Sequence, residues 1–196
     1  MAMTDLLFNS AFLSSGWQTS VRITVSEDGW IQAITSGASS DGCESVPGIA
    51  VPGVPNLHSH AFQRAMAGLA ERGSSNTDTF WSWRERMYAF LERLSPEDVE
   101  AIASQLYVEL LRHGFTSVTE FHYLRNHIDG SRYEDPVEMG RRILSAANQA
   151  GIGTTLLPVL YRSSDFGNKP PAPEQKRFVA DVDDLIGDLA TLRDST

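Results

Sequence analysis

Two histidines separated by one residue are the side chains of this sequence best suited to chemistry. His58 and His60 follow a short apolar run at residues 54–57. Because side chains alternate between the faces of a strand, both imidazoles are expected on the same side. Neutral imidazole is a good ligand for Zn²⁺ and for Fe²⁺. The pattern predicts half of a metal site at a strand end; the alternative is two incidental histidines beside a helix start.

The elements that would position these histidines alternate between strand and helix beyond about residue 53. Strands are predicted at 115–121 and 153–160, the second covered on both faces, and helices at 79–94, 95–114, 135–151 and about 175–193. Ser95 marks one helix start, as an N-cap followed by a proline and two acidic residues, and capping-box spacing marks another at Asp135. Alternation of this kind indicates a parallel sheet in an α/β fold. About three βα units are present, so a complete (β/α)₈ barrel of about 250 residues does not fit.

The first 50 residues are instead rich in predicted strands. Alternating apolar residues at 21–25 and 30–34 flank the turn pair Asp28-Gly29, which is typical of a β-hairpin. The sequence therefore predicts a small N-terminal β unit at residues 1–52. The α/β part is predicted to occupy residues 53–196.

Composition limits the classes of function. The net charge of −9 argues against a nucleic-acid or anionic-membrane surface, and the one cysteine, Cys43, excludes an internal disulfide. The N-terminus lacks the basic and apolar regions of a signal peptide, and no apolar run is long enough to span a bilayer. We therefore expect a cytoplasmic protein without a nucleic-acid or membrane partner.

Four longer runs carry a family resemblance. They occupy residues 58–68, 80–84, 120–123 and 156–161, and the aromatic run Phe-Trp-Ser-Trp-Arg is much more specific than His-x-His alone. Together they resemble the N-terminal portion of the formimidoylglutamate deiminase family, within the amidohydrolase superfamily. The resemblance implies a β-sandwich portion at 1–52 followed by the first part of a TIM-type barrel. It also implies hydrolysis of N-formimino-L-glutamate to N-formyl-L-glutamate and ammonia in histidine degradation.

Five residues receive roles from this resemblance. It makes His58 and His60 ligands of one divalent metal, usually Zn²⁺ with Fe²⁺ as the alternative, and places Gln63 beside the formimino group. It also assigns Arg84 and Tyr123 to the carboxylates of the substrate, which suits the planar donor fork of arginine. The sequence pattern by itself leaves a structural role open for three of these residues. Arg84 could be a solvated helix residue, Tyr123 an aromatic residue at a strand end and Gln63 a polar group at the surface.

The family's remaining metal ligands and its proton-transferring groups are expected beyond this sequence, so no catalytic acid or base is named here. We expect the isolated chain to be inactive and to require a complementing C-terminal chain or further sequence; a homo-oligomer is a second partner expectation. Two alternatives stay open. One is a non-catalytic amidohydrolase fragment, and the other is a related deaminase acting on a heterocycle such as guanine or an s-triazine.

The other titratable residues near these motifs are predicted to be structural. His113 is expected to end a helix, His122 to be packed and His127 to be solvated. Glu120 receives no catalytic role.

Overall fold

The computed structural model describes residues 3–69 and 80–194 of the chain. The chain forms two compact units, Met1–Gly53 and Val54–Thr196. No helix in the described ranges is long and apolar enough to cross a membrane.

The N-terminal unit contains a four-stranded sheet in the order β3-β2-β1-β4. Its strands are β1 (Met3–Leu13), β2 (Gly16–Ser26), β3 (Ile31–Thr35) and β4 (Glu44–Ala50). The predicted hairpin is confirmed, since β2 and β3 pair antiparallel. Its turn is closed by a 2.9 Å hydrogen bond from the Gly29 amide to the Ser26 carbonyl, and Gly29 has a φ of +81°, which glycine adopts without steric cost.

The second unit contains a three-stranded sheet in the order β5-β6-β7, in which both pairings are parallel. Its strands are β5 (Val54–Ser59), β6 (Phe115–His122) and β7 (Gly153–Pro158). Its helices are α1 (Phe80–Leu91), α2 (Pro96–Arg112), α3 (Glu138–Ala150) and α4 (Val182–Arg193). Short 3₁₀ turns occupy Ala61–Met66 and Pro173–Gln175. The predicted α/β class is confirmed, with three βα units of a TIM-type barrel.

The predicted helix start at Ser95 is confirmed, and a capping box is found there. The Ser95 hydroxyl accepts from the Asp98 amide, and the Asp98 carboxylate accepts from the Ser95 amide. The box predicted from Asp135 is wrong, because α3 begins at Glu138 with Val137 as the N-cap and no side-chain cap. Asp135 instead accepts from the Val137 amide and pairs with Arg141, so its carboxylate is engaged in the turn before the helix.

Two predicted element limits also differ from the structure. The last helix begins at Val182 rather than about 175, because Asp181 caps it by accepting from the Asp184 amide. β7 ends at Pro158, and its residues alternate between exposed and half-buried, so the prediction that both faces are covered is wrong. Within the described sheet β7 is an edge strand, which explains its exposure. Helix α1 matches its predicted region, although Thr79 lies outside the described residues.

The core of the second unit lies between the sheet and the helices that pack on it. Its members are apolar residues from α1, α2, α3, β6 and the segment before α4, and they include Met87, Leu91, Val99, Ala103, Tyr107, Val118, Leu124, Ile143 and Phe178. Tyr107 and Leu124 are fully buried. This core fixes the strands whose ends carry the predicted site residues.

A buried arginine joins three segments of the second unit. Arg177 is 2% exposed, and its guanidinium donates to the carbonyls of Leu91, Leu94 and Asn126. The carbonyl of Arg177 in turn accepts from the amides of Arg125 and Asn126, each at 3.0 Å. The segment before α4 is therefore held against the end of α1 and the loop after β6.

We predict that Arg177→Lys lowers the free energy of unfolding by about 2–4 kcal/mol, because an ammonium lacks the planar fork that reaches three carbonyls. Arg162→Lys, at an exposed position, is the matched control and is expected to change stability by less than about 0.5 kcal/mol. Urea unfolding of both variants provides the measurement. Equal stabilities would show that the guanidinium does not hold these segments together.

His122 is packed in the interior, as its position suggested. Its side chain is buried beside a small cavity that Arg125, Met139 and Asp188 also line. Burial, and to a lesser extent the charge of Arg125, lowers the pKa of His122 to about 4. The ring is therefore neutral in the folded protein at neutral pH.

This shift predicts a loss of stability in acid. An unfolded histidine has a pKa of about 6.5, so the unfolded state binds the additional proton as the pH falls from about 6.5 towards about 4. Between about pH 7.5 and about pH 5, the free energy of unfolding of His122→Leu should therefore fall by about 2 kcal/mol less than that of the wild type. Urea unfolding across this range is the measurement, with His127→Gln as the control at an exposed histidine. A wild-type pH dependence in His122→Leu would contradict the assignment.

Candidate active site

Two predicted site residues, and a tyrosine that was not predicted, lie where the parallel strands end. His60 follows β5, Tyr123 follows β6 and Tyr161 lies shortly after β7, so all three are at the carboxyl edge of one sheet. In parallel α/β folds this edge is where binding residues from successive strands converge. The sheet therefore brings together side chains that are far apart in sequence.

The two histidines face each other across a short gap. Nε2 of His58 lies 3.1 Å from Nε2 of His60, and the ring centroids are 5.0 Å apart. A metal about 2.05 Å from each nitrogen would subtend an angle of about 100°, between octahedral and tetrahedral values. The pair thus fits two ligands of one ion. Within residues 3–69 and 80–194, no cluster of three His, Cys, Asp or Glu side chains suitable for a metal is found.

The ring of His60 is oriented by the neighbouring strand. Its Nδ1 lies 3.2 Å from the carbonyl oxygen of Phe121, which can only accept, so Nδ1 carries the proton. In the neutral ring Nε2 then has a free lone pair directed at His58. Burial lowers the pKa of His60, partly offset by the Phe121 hydrogen bond, and nearby His58 lowers it further. These contacts favour the neutral imidazole that a metal needs.

A buried carboxylate fixes the backbone directly after His60. Glu120 is 1% exposed and accepts from the Ala61 amide at 2.6 Å and from the Tyr107 hydroxyl at 3.3 Å. Burial raises the pKa of Glu120, and these hydrogen bonds oppose the rise. Its side chain thus joins β6 to the turn after β5 and to α2.

Gln63 and Tyr123 form a polar pair beside the histidines. Nε2 of Gln63 donates to the Tyr123 hydroxyl at 2.9 Å, and the Tyr123 ring lies 5.5 Å from that of His60. Burial raises the pKa of Tyr123 to about 12, although the hydrogen bond from Gln63 works against the rise. The phenol is therefore neutral and can donate its proton. Four of the predicted positions, His58, His60, Gln63 and Tyr123, thus lie in one continuous group.

Arg84 lies on α1 among aromatic rings. Its Nε donates to the Tyr88 hydroxyl at 2.6 Å, and its guanidinium carbon lies 5.7 Å from the Trp81 ring centroid. Across the described part of the chain, no carboxylate lies within ion-pair distance of Arg84. A half-buried arginine with this environment is suited to an anionic ligand. The structure records no direct contact between Arg84 and the Gln63–Tyr123 pair.

Aromatic contacts connect the two groups through residues that sequence reasoning missed. Phe178 is 1% exposed, and its ring centroid lies 4.9 Å from Tyr123, 5.5 Å from Tyr161 and 6.2 Å from Tyr88. Gln175 donates to the hydroxyls of Tyr88 and Tyr161. Both missed residues belong to the segment predicted as helix, and the prolines at 170, 171 and 173 were the available signal for an irregular segment there.

The remaining histidines contribute no ligand to this group. His113 is the C-cap of α2, with Nδ1 2.8 Å from the Glu109 carbonyl, which fits the predicted structural role. His127 is exposed, as predicted, with its ring against Tyr133 at a centroid distance of 3.7 Å.

Comparison with known proteins places this arrangement in a family. Residues 49–192 match the model of the amidohydrolase family, and residues 7–46 match that of the formimidoylglutamate deiminase HutF N-terminal domain. The formimidoylglutamate deiminase of Pseudomonas aeruginosa is 49% identical over 97% of this chain and 42% of its own length. The chain therefore spans about two-fifths of this curated relative.

Solved structures agree with the fold. An amidohydrolase from Brucella melitensis superimposes with a TM-score of 0.90 at 42% identity, over 98% of this chain and 43% of that one. An atrazine chlorohydrolase from Arthrobacter aurescens TC1, solved with zinc, gives a TM-score of 0.66 at 17% identity, over 96% of this chain and 42% of that one. The second likeness concerns the fold alone. With its parallel strands, its histidine pair and a family model matching most of its length, the chain belongs to the amidohydrolase family.

Proposed function

We propose that this chain contributes to the active site of a metal-dependent hydrolase that converts N-formimino-L-glutamate to N-formyl-L-glutamate and ammonia in histidine degradation. The observation that carries the proposal is the 3.1 Å approach of two Nε2 atoms beside the Gln63–Tyr123 pair, at the carboxyl edge of the sheet. The 49% identity to a formimidoylglutamate deiminase supports the choice of substrate.

His58 and His60 would hold the metal through Nε2. The neutral state of His60 and its Nδ1 contact with Phe121 support this role, because a ligating histidine commonly uses its other nitrogen to fix its orientation. A divalent ion bound here would act as a Lewis acid that lowers the pKa of water. We favour Zn²⁺, which suits imidazole ligands and is present in the solved atrazine chlorohydrolase, with Fe²⁺ as the alternative.

Gln63 and Tyr123 would bind the polar groups of the substrate nearest the histidines. Gln63 offers both a donor and an acceptor, which matches a formimino group that also carries both. Tyr123 offers a neutral O–H donor to a carboxylate, since burial raises its pKa to about 12. Arg84 would pair with a carboxylate through its guanidinium, which lacks an ion-pair partner within the described ranges.

The overall reaction is balanced by one water molecule. The water oxygen forms a bond to the formimino carbon, the bond from that carbon to the terminal nitrogen breaks, and both water protons leave on ammonia. The five residues named here bind and orient the reactants. We assign none of them as the group that moves these protons.

The proposal predicts metal binding and ammonia release that depend on the histidine pair. In the protein made from the full coding sequence, His58→Ala or His60→Ala should lose the bound zinc. Each should also lower kcat/KM by more than the loss that follows when a residue hydrogen-bonded to a metal ligand is changed, which is typically about 10–100-fold. Zinc content by elemental analysis and ammonia release from N-formimino-L-glutamate are the measurements.

His113→Ala is the matched control, because this histidine caps a helix and should leave zinc and turnover unchanged. Full zinc content in both ligand variants would contradict the metal assignment. Ammonia release from guanine or an s-triazine but not from N-formimino-L-glutamate would overturn the choice of substrate.

The proposed carboxylate site predicts a specific effect at Arg84. Arg84→Lys keeps the charge but loses the planar fork, so KM for N-formimino-L-glutamate should rise about 10–100-fold. Arg112→Lys, at an exposed position of α2, is the control and should match the wild type. Steady-state kinetics provide the test, and an unchanged KM in Arg84→Lys would remove Arg84 from the site.

A further inference from the structure

We propose that Gln175 is a positioning residue that turns the hydroxyl of Tyr88 and the guanidinium of Arg84 towards a carboxylate of the ligand. The inference rests on the proposed function, in which Arg84 meets a substrate carboxylate, and adds the residues that set its direction. It follows from the hydrogen bonds of one buried amide.

The orientation of the Gln175 amide is fixed by a backbone donor. Gln175 is 2% exposed, and one of its terminal atoms accepts from the Ala172 amide at 2.8 Å. A backbone N–H can only donate, so that atom is the oxygen and the other is the nitrogen. The nitrogen must then be the atom that faces the two phenols.

This orientation determines the direction of the phenolic protons. Nε2 of Gln175 lies 2.7 Å from the Tyr161 hydroxyl and 3.1 Å from the Tyr88 hydroxyl, and because Nε2 only donates, both oxygens accept. The Tyr88 oxygen also accepts from Arg84 Nε at 2.6 Å. With two N–H groups donating to it, Tyr88 must direct its own proton elsewhere.

An open space lies next to these donors. Arg84, Tyr88 and Gln175 line a cleft of about 870 Å³ between α1 and residues 164–175, which we call the α1 cleft. Its lining also includes Glu85, Glu92, Glu174 and the ion pair between Asp165 and Lys169. The guanidinium of Arg84 and the hydroxyl of Tyr88 thus lie beside a space large enough for a small dicarboxylate.

The α1 side and the metal side meet through one ring, and among the described residues Gln175 forms no hydrogen bond with either histidine. The Phe178 ring contacts those of Tyr88, Tyr123 and Tyr161, and Gln175 lies three residues before Phe178 in the same segment. A change in the Gln175 amide should therefore alter donor direction without moving the histidines. This separation predicts an effect on ligand affinity rather than on the chemical step.

Gln175→Glu tests the inference with almost no change in shape. One carboxylate oxygen can still accept from the Ala172 amide. The other carboxylate oxygen stands where the Gln175 nitrogen donated, and because it can only accept, it attracts the phenolic protons and the Arg84 guanidinium. In the protein made from the full coding sequence, KM for N-formimino-L-glutamate should rise about tenfold or more, with kcat within about twofold. Binding of L-glutamate, followed by tryptophan fluorescence because Trp81 lines the α1 cleft, should weaken by a similar factor.

A mutant cycle separates positioning from packing. Tyr88→Phe removes the hydroxyl through which Gln175 acts, so Gln175→Glu should raise KM far less in that background than in the wild type. Gln149→Glu, the same change at an exposed position of α3, is the control and should leave KM unchanged. Gln175→Met, which has no charge and no amide, keeps the test usable if the glutamate variant does not fold.

Three outcomes would decide the inference. A raised KM in Gln175→Glu that depends on Tyr88 supports it. An unchanged KM in Gln175→Glu or Gln175→Met, or equal effects with and without the Tyr88 hydroxyl, overturns it while leaving the proposed function intact. A wild-type protein that releases no ammonia from N-formimino-L-glutamate overturns the proposed function instead.

Discussion

The parallel pairing of β5 with β6 is the constraint on which the site depends. Register places Ser59 opposite Glu120, so the end of one strand lies beside the end of the next. From this pairing, the Phe121 carbonyl reaches Nδ1 of His60, and the Glu120 carboxylate reaches the Ala61 amide. A slip of one residue would turn every side chain of β5 to the other face and break the contact between His60 and the Phe121 carbonyl.

The segment between β7 and α4 also positions residues of the site. Arg177 joins it to α1 and to the loop after β6, while its neighbours Gln175 and Phe178 contact the three tyrosines around the site. A backbone without regular secondary structure can direct neighbouring side chains in directions that the fixed spacing of a helix does not allow. Its buried polar groups need partners, however, and the carbonyls around Arg177 provide them.

The sequence was sufficient to predict the parts of this fold that rest on local signals. The N-cap at Ser95, the Asp28-Gly29 turn and the alternation of strands with helices each follow from contacts between near neighbours, and all three are present. The facing of His58 and His60 follows from strand geometry in the same way. Their ligand role remains a prediction, as do the roles of Gln63, Arg84 and Tyr123.

The failures have a common physical cause, which is that the polar groups concerned form hydrogen bonds other than those of the predicted helix. Asp135 does not cap α3, because its carboxylate serves the Val137 amide and Arg141. Residues 176–181 are not helical, since tertiary hydrogen bonds occupy Gln175 and Arg177. The contact of Gln175 with Tyr88 spans 87 positions, and no local pattern could reveal it.

The central claim is that one divalent ion is held between the Nε2 atoms of His58 and His60. The most direct measurement is a crystal structure of the protein made from the full coding sequence, grown with zinc and recorded at the zinc absorption edge. The account predicts one anomalous peak about 2.0–2.1 Å from both Nε2 atoms. A peak bound to only one of these histidines, or to neither, would contradict it.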